Sequence, residues 1–273
     1  MAALVALPTA RQFDTASWNL PFEPFKVAGP IYYVGTSELG AYLITTPQGD
    51  VLIDGGLPES APLIERSIRQ LGFKVEDIET LLITQAHFDH VGSLGALQKA
   101  SGGKVMVMEG DAALIEAGGK GDYLFGDTQP FPAAPVSRVL RDRDTVTLGG
   151  ITLTAVLTPG HTKGCTTWTT DITDGGRTLR VLFAGSTGVN PGTVLPSMPT
   201  YPTIGADYDR AFRVQAALSP DIWLAAHAGF FGLVDKREKQ KACGANPFID
   251  PEGWKRSVET RRKAHAELQK PKA

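Results

Sequence analysis

What most constrains this chain is where its histidines stand relative to its strand-forming runs. Four of the five histidines, His87, His90, His161 and His227, directly follow short apolar or β-branched runs. Leu81-Leu82-Ile83 leads into Thr84–Gly92 (TQAHFDHVG), the run ending at Leu157 leads into Thr158-Pro159-Gly160-His161, and Ile222–Ala226 leads into His227. Short apolar runs bounded by turn residues read as buried strands. In an α/β sheet, ligands gather at strand ends on one edge. Imidazole is a standard nitrogen donor for Zn²⁺, and a carboxylate oxygen such as that of Asp89 is a common addition. A lone His-x-Asp-His can arise by chance. Four strand-end histidines with an aspartate, and turn glycines at Gly92 and Gly160, point to a metal site. His265 differs: it stands among Arg261, Arg262 and Lys263 and reads as solvent-exposed, without a role.

Around these runs the pattern alternates strand and helix, which favours an α/β fold. Residues 30–56 read as three strands closed by Asp54-Gly55-Gly56. Ser60–Leu71 reads as a helix with Ser60 as N-cap, Pro62 in the first turn, apolar residues at helical spacing, and Gly72 as the stop. A second helix starts near Gly92 and stops at Gly102-Gly103, before a buried strand at Val105–Met108. Gly118–Pro135 reads as a long loop, and loops of that length are usually functional. Strands follow at Val139-Leu140, Thr145–Leu148, Ile151–Leu157, Thr166–Thr170 and Leu179–Phe183. Asp207–Leu218 reads as a helix, Ile222–Ala226 as a strand, and Ser257–Leu268 as a charged terminal helix. With no fixed-period repeat and no linker-like boundary, residues 1–273 read as one domain of two similar halves.

Composition excludes several classes. A net charge of −2 with no long basic run before the C-terminal tail argues against nucleic acid. No apolar run reaches the roughly 18 residues of a membrane span. Cys165 and Cys243 are too few for a disulfide framework and read as free thiols, Cys165 buried. Residues 1–20 read as an N-terminal arm. Ala2–Ala10 has the small-residue ending of a secretory signal without its basic start, so the tail of a longer signal and a plain arm both fit.

TQAHFDHVG, TPGHTKGC and HAGFFG, in that order, resemble the metallo-β-lactamase superfamily, and the resemblance runs from Ile31 to Asp250. It implies a four-layer αβ/βα sandwich with the metal site at one edge of the sheets. The family's H-x-H-x-D-H stands here as Gln85-Ala86-His87-Phe88-Asp89-His90. Many hydrolytic members carry a metal-bridging aspartate in a Gly-Asp-Thr stretch; here it is Gly185-Ser186-Thr187. With neither aspartate nor cysteine at Ser186, the pattern is similar to class B, subclass 3, and Gln85 places it near that subclass's glutamine variants.

The resemblance implies that Gln85, His87 and His161 hold one zinc, and Asp89, His90 and His227 a second. Asp89 would also direct the attacking water. Ser186 would orient water or a ligand side chain, or simply fill a tight turn. Where the family often has a serine for the substrate carboxylate, this chain has Gly188, with Thr187 or Asn190 as replacements. Phe125 and Phe231 are the aromatics expected to line the cleft. An amide oxygen is a poorer zinc donor than imidazole, so the Gln85 site should bind more weakly; the alternative is that Gln85 ligates nothing and hydrogen-bonds a neighbouring loop, leaving one firmly bound zinc. No Gly-x-Ser-x-Gly elbow is present. The expected activity is zinc-dependent opening of the β-lactam ring of penicillins, cephalosporins and carbapenems, by a periplasmic monomer. The alternative is a hydrolase of the same fold acting on a lactone, thioester or phosphoester, against which Ser186 stands.

Overall fold

Alternation along the strands sorts side chains onto two faces. Ile31 and Tyr33, Tyr42 and Ile44, and Val51 and Ile53 face one core, while Leu43, Leu52 and Leu81 face another. The period of two makes this automatic once strand pairing is set. The computed structural model describes residues 15–242 and 244–269. The Ala2–Ala10 run and Cys243 lie outside them.

The first sheet has seven strands in chain order: β1 (Phe25–Ala28), β2 (Ile31–Tyr33), β3 (Tyr42–Ile44), β4 (Asp50–Ile53), β5 (Ile78–Leu82), β6 (Lys104–Met108) and β7 (Arg138–Leu140). Pairing is antiparallel through β4 and parallel from β4 to β7. The second sheet contains β8 (Thr145–Leu148), β9 (Ile151–Leu157), β10 (Thr166–Asp174), β11 (Arg177–Ala184) and β12 (Ile222–Ala225), in the order β12-β11-β10-β9-β8. Only β11 and β12 run parallel there. The sheets share a core that includes Tyr33, Tyr42, Leu153, Trp168 and Phe183.

Helices cover both outer faces. On the first sheet lie α1 (Ala61–Gln70), α3 (Leu94–Ser101) and α4 (Glu109–Glu116), which bury Ile64, Ile68, Leu97 and Ile115. The four-residue α2 (Phe88–Val91) precedes α3. On the second sheet's side, α5 (Ile204–Ala216) packs against α8 (Pro251–Leu268). Between them in the chain come α6 (Ala228–Phe231) and α7 (Leu233–Ala242). The expected α/β sandwich is therefore present. No helix among the described residues is long and apolar enough to cross a membrane.

Some expectations change. The Ser60 hydroxyl makes no capping bond; it accepts from Leu57 N (2.9 Å) and donates to Asn19 Oδ1 (2.6 Å). The terminal helix starts at Pro251 rather than Ser257, because Asp250 caps it by accepting from Gly253 N (2.8 Å). His265 is not solvent-exposed. It is 4% exposed and wedged between the rings of Tyr208 and Phe212, with centroids 5.1 Å away. It shares the buried stripe of Trp254 and Val258 on α8, and the neighbouring arginines project elsewhere.

Candidate metal centre

The ends of β5, β9 and β12 deliver the candidate ligands to one edge of the sheets. Beyond β5, Thr84 is pinned through its N and Oγ1 to Asp54 (2.7 and 2.8 Å). The chain then runs to His87, the N-cap residue of α2 with extended φ and ψ, so that Asp89 and His90 fall in that helix. Beyond β9, Gly160 adopts φ 129°, and a Cβ there would come within 2.7 Å of the Tyr208 ring. Only glycine fits both demands, and His161 follows it. Beyond β12, His227 pairs with Leu39 and caps α6.

Two groups of donors result. His87 Nδ1 and His161 Nε2 face each other at 3.2 Å. Two nitrogens on one tetrahedral zinc, at about 2.0–2.1 Å each, stand about 3.3 Å apart. In the second group, Asp89 Oδ2 is 3.3 Å from His90 Nε2 and 3.4 Å from His227 Nε2. Each of these three residues offers a ligand atom within 4.8 Å of the others. Gln85 is 1% exposed, and its Oε1 has no hydrogen-bond partner; neither ring nitrogen of His90 has one either. An unmatched buried acceptor costs about 1–3 kcal/mol, which coordination of a cation would offset. These nitrogen and oxygen donors, with 3.2 Å between His87 and His161 and 3.3 and 3.4 Å from Asp89 to His90 and His227, fit zinc.

Protonation states agree. Burial pushes His87 down to about 4, and His90 and His161 down to about 3, so all three are neutral donors at neutral pH. The Gly188 carbonyl can only accept, so His161 Nδ1 donates to it (2.6 Å) and Nε2 keeps the lone pair. Burial opposes ionisation of Asp89, but the imidazoles of His90 and His227 outweigh it and hold the carboxyl below its ordinary range. Burial also opposes the charge on His227, yet bonding to Asp89 and Glu38 raises it to about 9. A metal arriving there displaces that proton.

Two carboxylates behind the ligands were not singled out from sequence. Glu38 Oε1 is 3.5 Å from His227 Nδ1 and is approached by Gly229 N (3.4 Å). Asp122 Oδ2 is 3.6 Å from His87 Nε2, while its Oδ1 accepts from Leu124 N and Phe125 N (2.7 Å each). Carboxylates so placed orient the rings of metal-binding histidines. No local pattern marks them: Glu38 sits in the β2–β3 turn and Asp122 in the long loop.

Residues 41–227 match the family described as the metallo-beta-lactamase superfamily. The chain belongs to the metallo-β-lactamase superfamily. Its similarity to the native FEZ-1 metallo-β-lactamase from Legionella gormanii is 42% identity over 91% of this chain and 96% of that one, with a TM-score of 0.89. The class B3 di-zinc metallo-β-lactamase LRA-12 from an Alaskan soil metagenome is 36% identical over 95% and 98% of the two chains, with a TM-score of 0.90. A hydroxyacylglutathione hydrolase of Rhodopseudomonas palustris is 29% identical over 59% of this chain and 52% of its own. The chain spans about three fifths or less of the length of the curated relatives it matches.

In this metallo-β-lactamase fold the candidate ligands line or underlie a cleft of about 260 Å³. Its walls include Trp18, Phe125, Val189 and Phe230. Phe125 lines it and packs on the His87 ring at 5.2 Å. Phe231 does not line the cleft. It is 2% exposed and packs on Trp223 and Phe248, while Phe230 lies 5.0 Å from the His227 ring. Neighbours on a helix point about 100° apart, so only one of the pair can face the cleft. Ser186 lines the cleft, with Oγ accepting from Gly188 N (3.1 Å). Asn190 lines it too, whereas Thr187 is 2% exposed and does not.

Proposed function

We propose that this protein is a class B, subclass 3 β-lactamase of the glutamine-variant type, opening the β-lactam ring of penicillins, cephalosporins and carbapenems with up to two zinc ions. The observation that carries the reading is the donor arrangement. His87 and His161 face each other in one group and Asp89, His90 and His227 form the other, with Gln85, whose buried amide oxygen is unmatched, two residues before His87, and Ser186 after β11 in place of a carboxylate. Among the described residues, Asp89 is the only carboxylate lining the cleft.

Bound zinc supplies a water acidified towards pKa 7 and a Lewis acid for the carbonyl. The chain's own residues do the rest. Asp89, held ionised, accepts a hydrogen bond from the attacking water and sets its direction. His161 presents a lone pair fixed by its outer bond to the Gly188 carbonyl, and the Asp122 carboxylate, 3.6 Å from His87 Nε2, favours the His87 tautomer with its lone pair on Nδ1. Trp18, Phe125 and Phe230 keep bulk water from the reacting bond, which strengthens charge interactions inside. Asn190 is the better placed of the two candidates for the substrate carboxylate, because Thr187 is buried outside the cleft. β-Lactams act outside the inner membrane, so this reading puts the working enzyme in the periplasm, as a monomer without a nucleic-acid partner.

The deciding experiment is hydrolysis of a penicillin, a cephalosporin and a carbapenem, each with and without a chelator. Chelator-sensitive turnover of at least one is expected. Turnover of a glutathione thioester and of none of the three would assign the site to another hydrolase of this fold.

A further inference from the structure

Asp111 lies in the first turn of α4 and takes no part in lining the cleft. It is 1% exposed, and its carboxylate accepts three hydrogen bonds. Oδ2 accepts from Ala86 N (3.0 Å) and Thr162 Oγ1 (2.7 Å), and Oδ1 accepts from Gly164 N (2.7 Å). Ala86 stands between Gln85 and His87, and Thr162 directly follows His161. The fit is close on both sides. A Cβ on Gly110 would come within 2.5 Å of the Lys163 backbone, and one on Gly164 within 2.5 Å of Asp111 N. The helix start is thus pressed against the His161 loop, and its carboxylate reaches across to the loop after β5.

We propose that Asp111 is a positioning residue for the Gln85–His87–His161 site: one buried carboxylate that fixes the distance between two ligand-bearing loops. The inference rests on the metal reading of those residues. The loops leave different sheets, β5 in the first and β9 in the second. Thr166 N donates to Thr84 O (2.7 Å) and Trp168 Nε1 to Ile83 O (2.8 Å), which joins the sheets before the first ligand. Asp111 ties the segment at Ala86, between the two ligands, and so sets the 3.2 Å gap between His87 Nδ1 and His161 Nε2. None of Asp89, His90 and His227 bonds to it. A site relying on a neutral amide oxygen has less intrinsic affinity, so it depends more on ligands held ready.

Asp111→Asn places an amide NH₂ against three donors, so it must lose at least one bond. Thr162→Val removes a single bond and keeps the shape. Zinc affinities of both variants are measured by competition with a chromophoric chelator, alongside the visible spectrum of the cobalt form and thermal melting. Gln85→Ala, run in parallel, marks which affinity belongs to this site. The expected result is a roughly 10- to 100-fold loss at the Gln85 site in Asp111→Asn, a smaller loss in Thr162→Val, and an unchanged second site. Should Asp111→Asn fail to fold, Thr162→Val decides alone. Equal weakening of both sites, or no weakening, overturns the proposal. A parent protein that binds one ion, at Asp89–His90–His227, also overturns it, but leaves the hydrolase reading intact. A parent that binds none removes both.

Discussion

At Gln85 an amide oxygen stands where imidazole would be the stronger zinc donor. The other group keeps an anionic ligand, Asp89, and two histidines, so it should fill first. Titrating the metal-free protein with zinc is expected to give two distinct affinities, and Gln85→His should raise only the weaker. Two equal affinities in the parent would rule this out. Asp54 offers a second residue-level test. It is 1% exposed with φ 62°, a left-handed conformation that asparagine also tolerates. Burial pushes its carboxyl up to about 7, against the two bonds from Thr84. The folded state therefore holds a proton that the unfolded chain releases. Asp54's contribution to stability is fullest below about pH 4 and is lost as pH rises through about 7. Asp54→Asn has no such proton. In metal-free protein, the parent should gain stability relative to the variant as pH falls from about 8 to about 5. A difference that stays flat in urea melts across that range would refute the shift. The candidate ligands were legible, because histidines at strand ends are few and their chemistry is narrow. Glu38, Asp111 and Asp122 were not, because a carboxylate near a turn is common and only tertiary contact gives it a partner.

At the scale of elements, the metal edge depends on how one sheet grips the other. Trp168 on β10 is 1% exposed, and its indole N–H donates to Ile83 O (2.8 Å), three residues before His87's loop partner Ala86. Trp168→Phe keeps most of the apolar bulk and leaves that carbonyl unmatched, which costs about 1–3 kcal/mol. The urea midpoint is expected to fall accordingly, and an unchanged midpoint would mean that water takes over the carbonyl. Apart from β1, which went unread, the strands were readable because alternation and flanking turns are local signals. Two of the longer helices, α4 and α7, were not, nor were the one-turn α2 and α6. The α4 segment begins directly from β6 without a polar cap, and α7 buries only Leu233 among its first residues, so it has no apolar stripe. The Phe230–Phe231 pair shows the same limit. Sequence placed aromatics beside His227, but the phase of a one-turn helix decided which of them reaches the cleft.

Across the whole molecule, the cleft mouth is braced by the far end of the chain. The α8 helix runs along the second sheet's side, and its Arg261 lies over the Phe230 ring at 4.1 Å. Burial pushes Arg261 down to about 10, which still leaves it charged at neutral pH. Phe230 is 42% exposed and touches both the His227 ring (5.0 Å) and the Arg261 guanidinium, so the guanidinium helps to hold the ring over the cleft edge. Such a contact contributes about 0.5–2 kcal/mol. Arg261 touches no candidate ligand, so removing it should alter substrate capture and leave metal binding alone. Arg261→Ala is expected to raise KM for a β-lactam by roughly three- to tenfold, with kcat and both zinc affinities unchanged. Phe230→Ala should raise KM by a similar factor. If the two residues act as one wall, the double variant should be no worse than Phe230→Ala alone, which a double-mutant cycle reads directly. Additive losses would instead mean that Arg261 meets the substrate by its own charge.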